Sequence, residues 1–218
     1  MKGKWAAGIP PRYFTWMIKD RLGISERPGG YARNHRPVRR QEEIIWLREQ
    51  GFSRIVSLLS SPHNLHAYEE FGLTWAHFPM PSANEAGSSL VDLYKNLIIW
   101  LQRGEKLLVH EEEMGDKVMG IAAGFLLWEK MVPSGPVSIA AVEKMCQRQL
   151  GSAGRAYVAI VVNLPERNDD SAEPAPEQPA EPATELATEQ VAEPATEHAT
   201  EPATEADNGA VVVNDSPT

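Results

Sequence analysis

The chain has 218 residues, a single cysteine and a formal net charge of −9. One cysteine excludes an intramolecular disulfide and fits a reducing compartment. With no apolar run after the N-terminal lysines to make a signal peptide, and a longest apolar run (residues 121–128) far too short to span a bilayer, a cytoplasmic protein with no membrane partner is expected.

Residues 1–12 read as a basic N-terminal arm, the start of a front (residues 1–40) with ten Lys and Arg against Asp20 and Glu26. Two short strands, Tyr13–Ile18 and Leu22–Ser25, flank the turn Lys19-Asp20-Arg21, and Arg27-Pro28-Gly29-Gly30 is a loop. Ile44, Ile45 and Leu47, with Gly51 just beyond, predict a helix over 41–50. Arg54–Leu59 is a strand of the type buried on both faces. A short helix over Leu65–Phe71 stops at Gly72, and Leu73–Phe78 is the next strand. Residues 79–88 have two prolines, a glycine and no periodicity, so they form a loop. Leu90, Leu93, Leu97, Ile98, Trp100 and Leu101 predict an amphipathic helix over 89–103, with Ser88 or Ser89 as N-cap. Lys106–His110 is a strand, followed by a tight loop, a helix to Met131 and another over Val137–Leu150. The tryptophans Trp46, Trp75, Trp100 and Trp128 are expected in the core; Trp5 and Trp16 are not assigned. Alternating strands and helices predict a mostly parallel α/β sheet covered on both faces, in one domain over 13–166.

Residues 167–218 carry thirteen acids and one base and no aromatic residue. Glutamates recur every fourth residue from 173 to 205, a spacing that would stack like charges on one helix face, and six prolines interrupt any helix. This segment is expected to be a disordered Ala/Pro/Thr/Glu tail. The acidity of the chain lies there, since residues 1–166 sum to +3. The basic front could meet nucleic acid, an anionic surface or the chain's own tail, or be simply solvated. No nucleic-acid motif accompanies it, so nucleic acid is not the expected partner.

The most informative stretch is Leu107-Leu108-Val109-His110-Glu111-Glu112-Glu113-Met114-Gly115-Asp116-Lys117-Val118-Met119-Gly120. A buried strand running through a tight loop into a helix aims backbone N–H groups and a helix N-terminus at one point, which makes an anion site. Four carboxylates, Glu111, Glu112, Glu113 and Asp116, would oppose a dianion there, against one Lys117. A single such pair at about 5 Å and an effective dielectric near 20 costs on the order of 3 kcal/mol. Oxygen ligands suit Mg²⁺ or Mn²⁺, but adjacent carboxylates on a tight loop rarely converge without a second segment, so no metal and no cofactor is expected. His63 and His66 have no further ligand at a suitable spacing.

The order of these elements resembles the atypical dual-specificity phosphatases, small Cys-dependent members of the protein tyrosine phosphatase superfamily, from about Tyr13 to Val162. The resemblance is carried by Tyr13-Phe14-Thr15-Trp16-Met17-Ile18, Ser25-Glu26-Arg27-Pro28-Gly29, Trp46-Leu47-Arg48-Glu49-Gln50-Gly51-Phe52, Ile55-Val56-Ser57-Leu58, Phe71-Gly72-Leu73, Phe78-Pro79 and the Val109-His110 loop. It implies a three-layer phosphatase-like fold, and it implies which positions would carry catalysis. The family's nucleophilic Cys corresponds to Glu111, its phosphate-clamping Arg to Lys117, and the Ser or Thr after that Arg to Val118. Its general-acid Asp corresponds by position to Ser82, with Glu85 near it in sequence. Its loop glycines fall at Met114 and Met119, with Gly115 and Gly120 one residue later. His110 corresponds to the residue that supports the loop. Cys146, expected inside a helix as a small hydrophobe, does not replace the nucleophile. The resemblance therefore implies a catalytically inactive homologue, a pseudophosphatase that binds a protein partner. The alternative is residual or altered phosphoester hydrolysis through the acidic loop. Either the Glu111 carboxylate fills the N–H nest and pairs with Lys117, or the loop's charges all face water.

Overall fold

A computed structural model describes residues 7–30, 37–62 and 64–164. The acidic tail, Trp5 and His63 lie outside these residues, as does part of the basic arm. A five-stranded sheet runs through the centre, built from β1 (Thr15–Ile18), β2 (Leu22–Glu26), β3 (Arg54–Ser57), β4 (Thr74–His77) and β5 (Leu107–Glu111) in the spatial order β1-β2-β5-β3-β4. β1 pairs antiparallel with β2, and every other pairing is parallel. β2, β3 and most of β5 are buried along their length, as parallel strands covered on both faces must be.

One face carries α1 (Pro37–Glu49) and the 3-10 helix Leu65–Phe71, with Ile44, Leu47, Phe52, Ile55, Leu65, Tyr68, Leu73 and Leu108 buried between them and the sheet. Phe14, Trp16, Trp46 and Phe52 extend this core as an aromatic cluster in which Trp16 stacks on Phe52 at 5.3 Å. The other face carries α2 (Gly87–Gln102), α3 (Asp116–Trp128), α4 (Gly135–Cys146) and α5 (Ser152–Val161) over the larger core. The architecture is thus the expected three-layer α/β sandwich. Trp100 and Trp128 are buried as expected, while Trp46, Trp75 and Trp16 are half-buried against the smaller core.

Several boundaries differ from expectation for identifiable reasons. α1 begins four residues earlier, at Pro37, because proline's fixed φ and missing N–H suit a first helical position. α2 begins at Gly87 with Ala86 as its cap residue and no side-chain cap, so Ser88 and Ser89 lie within the first turn and neither is the N-cap. The helix expected over 137–150 stops at Cys146, where Gln147 turns left-handed at φ 51°. α5 follows as a separate helix that the sequence reading did not assign.

α5 lies against α3 at close range. A Cβ on Gly120 would come within 2.4 Å of the Gly154 carbonyl oxygen, and one on Gly154 within 2.7 Å of the Asp116 carbonyl oxygen. Gly120 therefore serves helix contact inside α3, not curvature of the loop. Gly115 adopts φ −125°, and a Cβ there would meet nothing nearer than 4.0 Å, so it is not a displaced loop glycine either.

Candidate functional site

The site lies where β5 ends. Four residues, 112–115, join Glu111 to the first turn of α3, which places the helix N-terminus beside the strand end. The parallel register sets Glu26 of β2 beside Glu111, and Ser57 of β3 beside His110. Glu26 is 4% exposed, and burial raises its pKa against the opposing pull of Arg12 and Arg39.

His110 is completely buried, with Nε2 3.4 Å from the Tyr68 hydroxyl and Nδ1 without an aligned hydrogen-bond partner. Burial, aided by the Arg27 and Arg40 guanidiniums, pushes its pKa down to about 3, against a smaller opposing pull from the Glu111 backbone. A neutral imidazole under the strand end supports the loop and carries no charge into it.

Glu111 is anchored at three points. Its Oε2 lies 3.0 Å from Lys117 Nζ, a charge contact without hydrogen-bond alignment. Its Oε1 accepts the Glu112 N–H at 3.1 Å, and its carbonyl accepts the Arg27 N–H at 2.8 Å. The carboxylate thus takes up the ammonium and one backbone donor of the kind an anion would use. The other three acids of the loop do not crowd this point. Glu112 pairs with Arg27 Nη2 at 2.9 Å, Glu113 is exposed, and Asp116 Oδ1 accepts the Gly151 N–H at 3.0 Å, at the N-terminus of α5. A carboxylate there favours the helix dipole. Met114 turns into the main core, and its carbonyl accepts a hydrogen bond from Arg148.

Ser82 is exposed and donates to Glu85 Oε2 at 3.3 Å. This segment is tied to the site from α5, since the Tyr157 hydroxyl donates to the Pro81 carbonyl at 2.5 Å. Burial raises the Tyr157 pKa, and the Glu111 charge raises it further, so the phenol stands within electrostatic reach of the loop carboxylate. Tyr157 was missed with its helix, although its place in the helical spacing of residues 154, 157, 158 and 161 was a signal for that helix.

Cys146 sits at the end of α4, half-buried against the main core, and burial pushes its pKa up to about 11. It is a protonated thiol at neutral pH, not a displaced nucleophile. His66 is exposed. Among the described residues, no group of three or more His, Cys, Asp or Glu is placed to hold a metal ion, and no helix is long and apolar enough to cross a membrane.

No protein-family model and no curated protein matches the sequence. Solved structures do match. The kinase-associated phosphatase with its catalytic cysteine substituted by serine has a TM-score of 0.55 at 19% identity, over 68% of this chain and 92% of that one. Tk-PTP in its active form has a TM-score of 0.53 at 16% identity, over 72% and 98%. TpbA of P. aeruginosa has a TM-score of 0.53 at 15% identity, over 75% and 92%. The chain therefore has the protein tyrosine phosphatase fold, with Glu111 at the end of the strand that leads into its loop.

Proposed function

We propose that this chain is a catalytically inactive phosphatase homologue that acts as a protein-binding or regulatory module. The observation that carries this reading is the ion pair between Glu111 and Lys117 at the end of β5. A phosphatase of the family the sequence resembles needs a thiolate nucleophile, a guanidinium fork for the phosphoryl oxygens and an acid for the leaving group. Glu111 is a weaker nucleophile than thiolate and is already neutralised. Lys117 is a point charge without a planar fork. The Ser82 hydroxyl is far too weak an acid to protonate a leaving group at neutral pH. A phosphate dianion approaching this loop meets a carboxylate in its place. The partner is accordingly recognised through the surface around the loop, independently of phosphate.

The test is hydrolysis of a small aryl phosphate and of a phosphotyrosine peptide by the full chain, with and without Mg²⁺ or Mn²⁺, beside Glu111→Ala. The expected result is no turnover above buffer for either protein. Turnover by the wild type that disappears in Glu111→Ala would overturn the reading and make the acidic loop an active site.

A further inference from the structure

Both walls of the site are fastened to α5. At its N-terminus the Gly151 N–H donates to Asp116 Oδ1 at 3.0 Å, which ties it to the end of the acidic loop. From its second turn the hydroxyl of Tyr157, a residue 4% exposed, donates to the Pro81 carbonyl at 2.5 Å. α5 has little room to shift between these two points. A Cβ on Gly151 would collide with the Asp116 carboxylate, and Gly154 sits against the α3 backbone. Arg155 braces the same end, with Nε on the Leu150 carbonyl at 2.9 Å and one Nη on Glu143 at 2.8 Å. The segment 79–86 is anchored near its ends, where Met80 and Ala86 are buried and the Met80 N–H donates to the Leu58 carbonyl at 3.4 Å. Its exposed tip is Ser82, Asn84 and Glu85, and Tyr157 grips it at Pro81, beside that tip.

We infer that α5 is a strut that fixes the segment 79–86 relative to the acidic loop, with Asp116 and Tyr157 as its positioning residues. The segment is then a standing wall of the site, not a lid that closes over it. Ser82, Asn84 and Glu85 on one side and the loop on the other keep their places before any partner arrives. A surface held this way avoids the ordering cost that a closing segment incurs on binding. Its use as a docking rim rests on the proposed binding function. The strut itself does not, and it is measured without a partner, so the two fail separately.

The test is native-state hydrogen exchange on the full chain, read at the Met80 and Ala86 amides and, for comparison, at the Ile44 and Leu47 amides of α1 on the other face of the sheet. Tyr157→Phe keeps the ring and removes the bond to Pro81. Asp116→Ala removes the bond to Gly151 and alters no residue of the segment. The expected result is exchange at Met80 and Ala86 about tenfold faster in Tyr157→Phe and at least threefold faster in Asp116→Ala, with the α1 amides changed less in both. The response to Asp116→Ala is the one a purely local role of Tyr157 would not produce. Tyr157→Phe alone decides the matter if Asp116→Ala fails to fold. Segment exchange that is unchanged in either folded variant, or raised no more than in α1, overturns the strut.

Discussion

Two residues at the end of β5 decide what the loop is. Glu111 is 13% exposed and Lys117 34%, so their contact falls between a surface ion pair and a buried one. Glu111→Gln removes the charge and leaves the ammonium beside a neutral amide, a cost of about 1–2 kcal/mol. Thermal melts should show a midpoint lower by roughly 3–6 °C, whereas Glu113→Gln, on an exposed side chain, should change it by about 1 °C at most. An unchanged midpoint in Glu111→Gln would mean that the carboxylate does no structural work in the loop. His110 makes a second prediction, about acid. Its folded pKa of about 3 lies below the unfolded value of about 6.5, so the unfolded chain binds the extra proton between these values. The stability held by neutral His110 is therefore complete above pH 6.5 and declines as pH falls toward 3. By pH 5 the loss from this residue should be about 2 kcal/mol. Denaturant titrations at pH 7 and pH 5 should show it, and His110→Asn should abolish that share of the pH dependence.

At the scale of elements, the close contact of α3 with α5 holds the loop's helix in place. Gly120→Ala puts a methyl group against the Gly154 backbone, and backbone has no rotamer through which to yield. The helices must separate, which costs roughly 2–3 kcal/mol and should lower the melting midpoint by about 5–10 °C. Gly115→Ala, with ordinary φ and open space, should be near neutral. Equal effects in the two variants would refute the contact as the reason for Gly120. These glycines also show where the sequence was legible. Apolar runs and a 3.6-residue period located the strands and the long α2, because burial against one layer writes itself into spacing. α5 carries that period too, with Gly154, Tyr157, Val158 and Val161 on its buried face, but it spans only ten residues and went unassigned behind the helix expected over 137–150. At the site, Glu111 and Lys117 were legible as a candidate pair from the resemblance, which aligns them with the family's loop Cys and Arg. The uses of Asp116 and Tyr157 depend on α5, and the pairing of Arg27 with Glu112 on the alignment of β2 with β5, so they required three-dimensional packing.

For the whole molecule, charge is divided along the chain: residues 1–40 carry +8 and residues 167–218 carry −12. Segments of such opposite charge on one chain attract each other at effective concentrations in the millimolar range and are screened by salt beyond about 10 Å at 0.1 M. We propose that the tail's glutamates compete with polyanions for the basic front. Deleting 167–218 changes the net charge from −9 to +3, so tighter heparin binding alone would follow from long-range attraction. The discriminating measurement adds the isolated 167–218 peptide to the truncated protein. Competition requires that the peptide restore weaker heparin binding in trans, with an effect on the order of tenfold at low salt. That effect should vanish near 0.5 M salt, where the Debye length falls to about 4 Å. A peptide without effect at any salt concentration would leave the tail a solvated appendage and the basic front free for an outside partner.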